Sequence, residues 1–438
     1  MLKTLQNVFK VKEIRHRIFY VLMMLVVIRI GSQLPVPGVD SNYFKEWFES
    51  QSGNAFNFFD AFTGGSFTSM SIFALNITPY ITSSIIIQLL TIAIPKLEEM
   101  QRDGEDGRKK LTAITRFLTV ALALMQSTAM AIGFGRNGLI PDFNFTKAAV
   151  VVVCLTAGSA MLMWIGERIT EKGVGNGISI VLMINIVSRI PSDLISLYEG
   201  FVKGKTIARG ALAALIIIAI ILVVVVFVLI LNGGQRNIPV QYSKKMQGRK
   251  MVGGQSTHIP LKVNTSGVIP IIFASSIMTL PGLIASFMGK GNGTGIGSQI
   301  INALSTDNWC KPSQPVYSLG LLLYIVLIIF FAYFYTSITF NPLEIADNIK
   351  KQGGFIPGIR PGKATSDYLN KILNYIIFIG ASGLIIVAVI PIFFNGVFGA
   401  SVSFGGTSII IIVGVILETL KQIESMMLVR NYKGFLND

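Results

Sequence analysis

The chain has 438 residues, of which 52% are hydrophobic and 13% charged; its formal net charge is +15 and its mean hydropathy is +0.63. This composition lies far from the average of soluble globular proteins and excludes a soluble globular fold for most of the chain. It is typical of an all-α polytopic membrane protein.

Apolar segments recur along the chain, and we predict that each crosses a membrane. The fifth is the weakest, because its strongly apolar part is short and Arg189 and Pro191 close it. The ten predicted spans are residues 17–34, 71–94, 114–133, 147–166, 177–191, 210–231, 266–288, 317–340, 372–393 and 405–423. The first is long, follows a charged stretch and lacks a cleavage site, so we expect it to remain as a span.

A short apolar segment between the first two spans ends at Gly64 and Gly65. Its apolar members are Ala55, Phe56, Phe58, Phe59 and Phe62. A membrane-spanning helix needs about 20 apolar residues. This piece must therefore lie at the surface, re-enter, or sit inside protein. The last option suggests a stopper.

Lysine and arginine concentrate in alternate connections, which sets the predicted orientation. The cationic connections are those before the first span, after the second, fourth, sixth and eighth, and after the tenth. With these on the cytoplasmic side, both termini are cytoplasmic. Away from span ends, only Arg29 and Glu418 are ionisable, and snorkelling or helix contact accounts for both.

Two cationic connections, residues 232–265 and 341–371, are longer than ordinary loops. In the second, Pro357 and Pro361 flank Arg360, an arrangement that presents one side chain at a loop tip. We interpret both loops as docking surfaces for an anionic partner.

Signatures of enzymes are missing from the sequence. It contains no phosphate-binding loop, no zinc helix and no nucleophile elbow. Cys154 lies in a span and Cys310 in an outer loop, so they are not expected to pair. We predict no catalytic residues, no metal site and no cofactor, and any energy must come from a partner.

Several ordered motifs resemble the SecY family, the central subunit of the bacterial Sec translocon. They span nearly the whole chain. They are residues 29–32 (RIGS), 79–90 (PYITSSIIIQLL), 173–179 (GVGNGIS), 254–262 (GQSTHIPLK), 355–362 (FIPGIRPG) and 404–408 (FGGTS).

The resemblance implies a pore in the bacterial plasma membrane through which unfolded secretory polypeptides pass. Signal sequences and membrane segments would leave sideways into lipid, through a gate between spans two and three and spans seven and eight. The pore lies between two pseudo-symmetric halves of five spans, here residues 1–200 and 201–438. No strong internal repeat supports this symmetry independently.

The family closes its pore with a ring of aliphatic side chains. The matching positions are Ile77, Ile81, Leu182, Ile272 and Ile411. Leucine at 182, where the family often has isoleucine, preserves the chemistry. Without the resemblance, these five would read as ordinary helix packing.

The family's plug, a short re-entrant helix, corresponds to about residues 57–68. The plug residues are Phe58, Phe59, Asp60, Phe62, Gly64 and Gly65. Its aromatic face would cover the ring, while polar residues such as Asp60, Thr63 and Ser66 would let it leave. A helix lying on the outer leaflet is the alternative.

By the same resemblance, Arg360 would contact the SecA motor or the ribosome, with Arg249 and Lys250 as weaker candidates. SecA or translation would drive transport, and SecE and SecG would be the partner subunits.

Two other classes stay open on composition alone. A secondary transporter of small solutes would need paired ionisable groups in its spans. An intramembrane enzyme would need a nucleophile, acid pair or metal cluster there. The sequence offers almost none of these groups.

Overall fold

The structure is a computed structural model of the full chain. It describes the residues in the following ranges: 11–40, 43–44, 46, 60, 63–136, 138–141, 143–201, 207–242, 245–247, 250–252, 256–287, 299–300, 303–304, 309–310, 315–398 and 406–434.

The chain divides into two compact units. The first contains Met1–Ser196, Gly282–Ile301 and Val415–Asp438, so the two ends of the chain belong to the same unit. The second contains Leu197–Pro281 and Asn302–Gly414. The two expected halves, 1–200 and 201–438, stay a prediction.

Helices account for most of the first unit. In order they are α1 (Lys12–Gly31), α2 (Thr78–Ala93), α3 (Pro95–Arg102), α4 (Gly104–Arg136), α5 (Phe145–Lys172) and α6 (Gly177–Phe201). Helix α4 packs against α2, α3 and α5, and α1 packs against α5.

The second unit combines helices with short strands. Its elements are α7 (Ile207–Gly233), β1 (Gln235–Tyr242), β2 (Lys245–Gln247), β3 (Lys250–Val252), β4 (Ser256–Lys262), α8 (Ile269–Phe287), α9 (Leu319–Thr339), α10 (Pro342–Lys351), β5 (Gly354–Phe355) and α11 (Lys363–Phe398). The last helix, α12 (Gly406–Gly434), begins in this unit and ends in the first.

Six helices of the described residues are long and apolar enough to cross a membrane. A seventh candidate is the pair Thr78–Ala93 and Pro95–Gln101, which is bent by 109°. The chain is thus a multi-pass helical membrane protein, and the count of ten spans stays a prediction. The six are Gly104–Gly135, Phe145–Lys172, Gly177–Glu199, Ala214–Gly233, Val316–Lys351 and Lys363–Phe393.

The second predicted span, residues 71–94, is only partly helical. Helix α2 begins at Thr78, and residues 64–70 and 72–77 form turns. Asn76 has a φ of 52°, in the left-handed region, which breaks a right-handed helix just before Pro79 can start a new one. The break in the helix at Asn76 was not predicted, because the residues on both sides of it are apolar.

The two long connections fold into a small sheet. Strand β1 pairs antiparallel with β4 from Gln235↔Lys262 to Gln241↔Ser256, and its other edge pairs with β5. Strands β2 and β3 form a separate antiparallel pair. We call the sheet β4-β1-β5 the loop sheet. Both connections were predicted only as loops, and their strands are a finding of the structure.

Apolar side chains under the loop sheet make it a packed structure. Ile238 and Val240 alternate with polar residues along β1 and are buried, as expected for a strand with one covered face. They join residues of α10 and α11 in one cluster. Its buried members are Ile238, Val240, Leu261, Ile349, Ile356, Leu369, Ile372 and Ile376.

At one end of the first unit, helices α1 and α12 meet the connection between α5 and α6. The Gly175 amide donates to Gln422 Oε1 at 2.6 Å, and Arg17 donates to the Gly173 carbonyl at 3.4 Å. Beside these bonds, Ile14, Val174 and Ile423 form a buried apolar cluster. The glycine-rich motif at 173–179 is thus held by both ends of the chain.

Candidate functional site

The segment before α2 is folded into turns and buried in the first unit. Residues 63–77, together with Asp60, form what we call the docked segment. Gly64 and Gly65 have φ of 66° and 85°, so the predicted stop at these glycines is a left-handed turn. Residues 64–68, at the end of the predicted plug helix, and residues 72–77, at the start of the second predicted span, are turns and not helix.

An ion pair joins the docked segment to α6. The Asp60 carboxylate contacts the Arg189 guanidinium, and its other oxygen accepts a hydrogen bond from the Thr68 amide at 3.0 Å. Arg189 also lies 3.7 Å from Asp193, one turn further along α6. The side chain of Asp60 is 2% exposed and that of Arg189 23% exposed. The pair is thus largely removed from solvent.

Glycine at position 64 allows close contact with α6. A Cβ atom there would lie 2.5 Å from the Asn185 carbonyl oxygen and 2.8 Å from Ser188 Oγ. Such distances are too short for any real side chain. The neighbouring Gly65 has no heavy atom within 4 Å of the equivalent position. Only Gly64 is therefore demanded by the contact itself.

A second polar contact holds the other end of the docked segment. Asn185 donates from Nδ2 to Asn76 Oδ1 at 3.0 Å, and Ser159 donates to the Asn76 carbonyl at 3.2 Å. All three residues are buried. Helices α5 and α6 thus fix the residue at which the chain turns into α2.

Aromatic packing covers another part of the segment. Phe67 lies edge-on to Phe44 and Phe134, with ring centroids 6.3 and 6.2 Å away, and Phe44 and Phe134 are 4.9 Å apart. Such edge-to-face pairs stabilise beyond the area they bury. These rings differ from the predicted plug phenylalanines, since Phe58, Phe59 and Phe62 lie outside the described residues.

The polar residues of the docked segment are buried rather than exposed. Asp60, Thr63 and Ser66 are each at most 1% exposed. Thr63 donates to the Asp60 carbonyl at 3.2 Å. Within the described part of the chain, Ser66 Oγ and Asn185 Oδ1 are buried without a hydrogen-bond partner. The segment is therefore seated with its polar groups only partly satisfied.

The five predicted ring positions divide between the units. Ile77, Ile81 and Leu182 belong to the first unit, and Ile272 and Ile411 to the second. Ile77 and Ile411 are at most 2% exposed. Leu182 is 7% exposed, and Ile81 and Ile272 are partly buried. Ile77 is the last residue of the docked segment and directly precedes α2.

Of the predicted docking residues, Arg360 is described most fully. It is exposed on the turn between β5 and α11, and its carbonyl accepts a hydrogen bond from Thr365 Oγ1 at 2.8 Å. Lys250 begins β3, and Arg249 lies outside the described residues. The turn that carries Arg360 therefore lies between residues that are buried in the apolar cluster under the loop sheet.

The residues that hold the docked segment were missed by sequence reasoning. Arg189 was interpreted only as closing the fifth span, and no role was predicted for Asn185 or Ser159. The available signal was charge: Asp60 is an acid in an apolar segment, and Arg189 is a base in an apolar helix. Two opposite charges in such surroundings predict a pair. Among the described residues, no group of acids, histidines and cysteines could hold a metal ion.

Comparisons with known proteins agree over the whole chain. The SecY family model matches residues 71–420. The protein translocase subunit SecY of Streptomyces galbus is 44% identical over 451 residues, covering 100% of both sequences. That of Halalkalibacterium halodurans is 42% identical over 443 residues, again covering 100% of both.

Solved structures share the fold at lower identity. One is a SecY protein, described as having a plug domain that stabilises the closed state of the translocation channel and maintains a membrane seal. It has a TM-score of 0.62 at 21% identity and covers 95% of this chain and 93% of its own. Another is Sec61 in a canine ribosome-channel complex from the endoplasmic reticulum, with a TM-score of 0.60 at 19% identity and the same coverage.

Proposed function

The chain belongs to the SecY family, and from this premise we propose that it is a channel that conducts unfolded secretory polypeptides across the bacterial plasma membrane. The same channel releases signal sequences and membrane segments sideways into lipid. It is not an enzyme. The observation that carries the proposal is the docked segment: a buried piece of chain, seated on α6 through a few polar contacts next to a predicted pore residue.

The proposed channel has ten spans in two halves, residues 1–200 and 201–438. Its pore narrows at Ile77, Ile81, Leu182, Ile272 and Ile411. A ring of aliphatic side chains excludes ions by dewetting and grips no passing side chain strongly. Such a ring suits a channel whose substrates differ in sequence. The burial of Ile77 and Ile411 supports an apolar role but does not distinguish a ring from packing.

The plug of the proposed channel is the range 57–68, and the part of the docked segment from Asp60 to Thr68 belongs to it. Its seat is polar and incompletely hydrogen-bonded, as Ser66 and Asn185 illustrate among the described residues. An unsatisfied buried polar group costs about 1–3 kcal/mol. Such a seat holds the segment in the idle channel while keeping its removal within reach of a driven polypeptide.

Partner proteins supply the energy for transport in the proposed channel. The relative in the canine complex is a ribosome-bound channel, and we propose that the ribosome or the SecA motor docks on the loop sheet at Arg360, with Arg249 and Lys250 adding charge. SecE and SecG are the proposed partner subunits, and signal sequences and unfolded preproteins the substrates. Both termini are cytoplasmic in this orientation.

Site-specific photo-crosslinking tests the pore assignment. A crosslinker is placed in turn at positions 77, 81, 182, 272 and 411, and a secretory chain is stalled during export. We expect adducts from all five positions, because a polypeptide in a narrow ring touches every side of it. Leu215 and Leu222, which are 69% and 58% exposed on α7, serve as controls and should give none. Adducts confined to the control positions would overturn the proposal.

A further inference from the structure

The ion pair of the docked segment is a costly feature that ordinary packing does not require. Asp60 and Asp193 have side chains that are only 2% and 10% exposed. A charge removed from water is tolerated when it is paired and hydrogen-bonded. Arg189 lies against both carboxylates, and the Thr68 amide completes the environment of Asp60.

The cluster is asymmetric in a way that suits release. Asp60 belongs to the docked segment, whereas Arg189 and Asp193 lie one turn apart on α6. When the segment leaves, Asp60 can enter water, and Arg189 keeps Asp193 as its partner. Leaving therefore does not strand an unpaired cation on the helix. Asp193 lowers the free energy of the undocked state relative to a lone arginine.

We propose that Asp60 and Arg189 are positioning residues that hold the plug in the idle channel, and that Asp193 makes the hold reversible. The proposal rests on the proposed plug function and extends it to named side chains. The close contact of Gly64 with Asn185 and Ser188, and the amide contact of Asn76 with Asn185, lie within the turn of α6 that precedes Arg189. The ion pair, the close contact at Gly64 and the amide hydrogen bond thus all involve one face of α6, which carries Asn185, Ser188 and Arg189.

The ion leak through the idle channel reports how strongly the ion pair keeps the plug in place. The full-length chain is purified with its partner subunits, placed in vesicles, and the chloride leak is recorded without substrate. Deletion of residues 57–67 provides the upper reference. Arg189→Gln leaves Asp60 buried without its cation, and should raise the leak by at least about tenfold, equivalent to about 1.4 kcal/mol in the seating equilibrium.

The order of the variants is the sharper test. Asp60→Asn keeps the contact between Arg189 and Asp193, so its leak should lie between those of the wild type and Arg189→Gln. The double variant Asp60→Asn with Arg189→Gln should leak less than Arg189→Gln alone, because the docked segment then no longer carries the buried, unpaired carboxylate of Asp60. Arg189→Lys keeps a positive charge beside Asp60 but loses the planar guanidinium that reaches both carboxylates, so its leak should exceed that of the wild type and stay below that of Arg189→Gln.

A matched control breaks an ion pair elsewhere in the first unit. Arg116 lies 2.9 Å from Glu167, and both side chains are more accessible, at 52% and 21%. Arg116→Gln should leave the leak unchanged. Size-exclusion profiles and substrate-driven export of each variant establish that the complex is folded, and Asp60→Asn and Arg189→Lys carry the test if Arg189→Gln does not assemble.

The results separate the two proposals. If the deletion leaks and the Asp60 and Arg189 variants are as tight as the wild type, the ion pair does not hold the plug. The same conclusion follows if Arg189→Lys leaks as much as Arg189→Gln. If the deletion itself is tight, the plug assignment fails, and the ion pair loses its proposed role with it.

Discussion

The docked segment and the loop sheet are the two prominent non-helical parts of the described chain, and they are stabilised differently. The docked segment is held by individual side chains, among them Asp60 and Asn76, which contact α5 and α6. The loop sheet is held by a regular antiparallel ladder over an apolar cluster. The first depends on a few groups and can be released by disturbing them. The stability of the loop sheet is shared among many backbone hydrogen bonds and apolar contacts, so the loss of one of them does not unfold it.

The largest effect is expected from the apolar cluster under the loop sheet. Leu369 is fully buried there, and Leu369→Ala should destabilise the sheet by about 2–5 kcal/mol through the lost contacts and the cavity left behind. Limited trypsin digestion of the purified protein should then cut faster at Arg236 and Lys262.

Leu343 on α10 offers the control for this substitution. It is 64% exposed, so Leu343→Ala should leave the digestion rate almost unchanged. Equal rates for both variants would mean that the cluster does not stabilise the sheet, and the contrast with the docked segment would disappear.

The next effect concerns the fit of the docked segment on α6. Gly64→Ala places a Cβ atom 2.5 Å from a backbone oxygen that cannot move aside cheaply. Overpacking of this kind costs about 1–3 kcal/mol, so the idle chloride leak should rise several-fold.

Gly65→Ala separates the clash from backbone strain. Both glycines have positive φ, so both alanine variants adopt a disfavoured conformation at about 1–2 kcal/mol. At position 65, however, no atom lies within 4 Å of the added Cβ. We expect Gly64→Ala to leak more than Gly65→Ala; the reverse order would contradict the described contact.

The smallest effects compare one hydrogen bond in each region. Ser159→Ala removes a buried bond to the Asn76 carbonyl and should lower the free energy of unfolding by about 1 kcal/mol. Tyr242→Phe removes an exposed bond of 3.3 Å to Gln352 in the second unit and should change it by less than about 0.5 kcal/mol. Equilibrium unfolding in mixed detergent micelles gives both values. A larger loss for Tyr242→Phe would reverse the comparison.

Sequence patterns predicted the helical parts of the chain better than its exceptions. Apolar runs identified the long helices, since a membrane span needs a continuous apolar surface. They hid the break before α2, because the turns at residues 72–77 are as apolar as the helix that follows. The loop sheet escaped notice because β1 buries only Ile238 and Val240 among polar neighbours.

Of the candidate site, only the turn at Gly64 and Gly65 could be predicted from the sequence. Glycine pairs stop helices, so the boundary at Gly64 and Gly65 could be read locally. The partners of that boundary could not, because Asn185 lies 109 residues from Asn76 and no local pattern links them. The ring positions came from family resemblance alone, since aliphatic residues in spans carry no individual signal.

The bond between Gly175 and Gln422 bears on how this protein is made. The two residues are separated by 247 positions, so the ribosome synthesises the acceptor long after the donor. Until then, the Gly175 amide must find another partner, and the Ile14 and Val174 side chains lack the cover of Ile423. The first unit therefore reaches its final packing only after most of the second has been translated. A chain interrupted before residue 422 would lack both the hydrogen bond between Gly175 and Gln422 and the apolar cover that Ile423 gives to Ile14 and Val174.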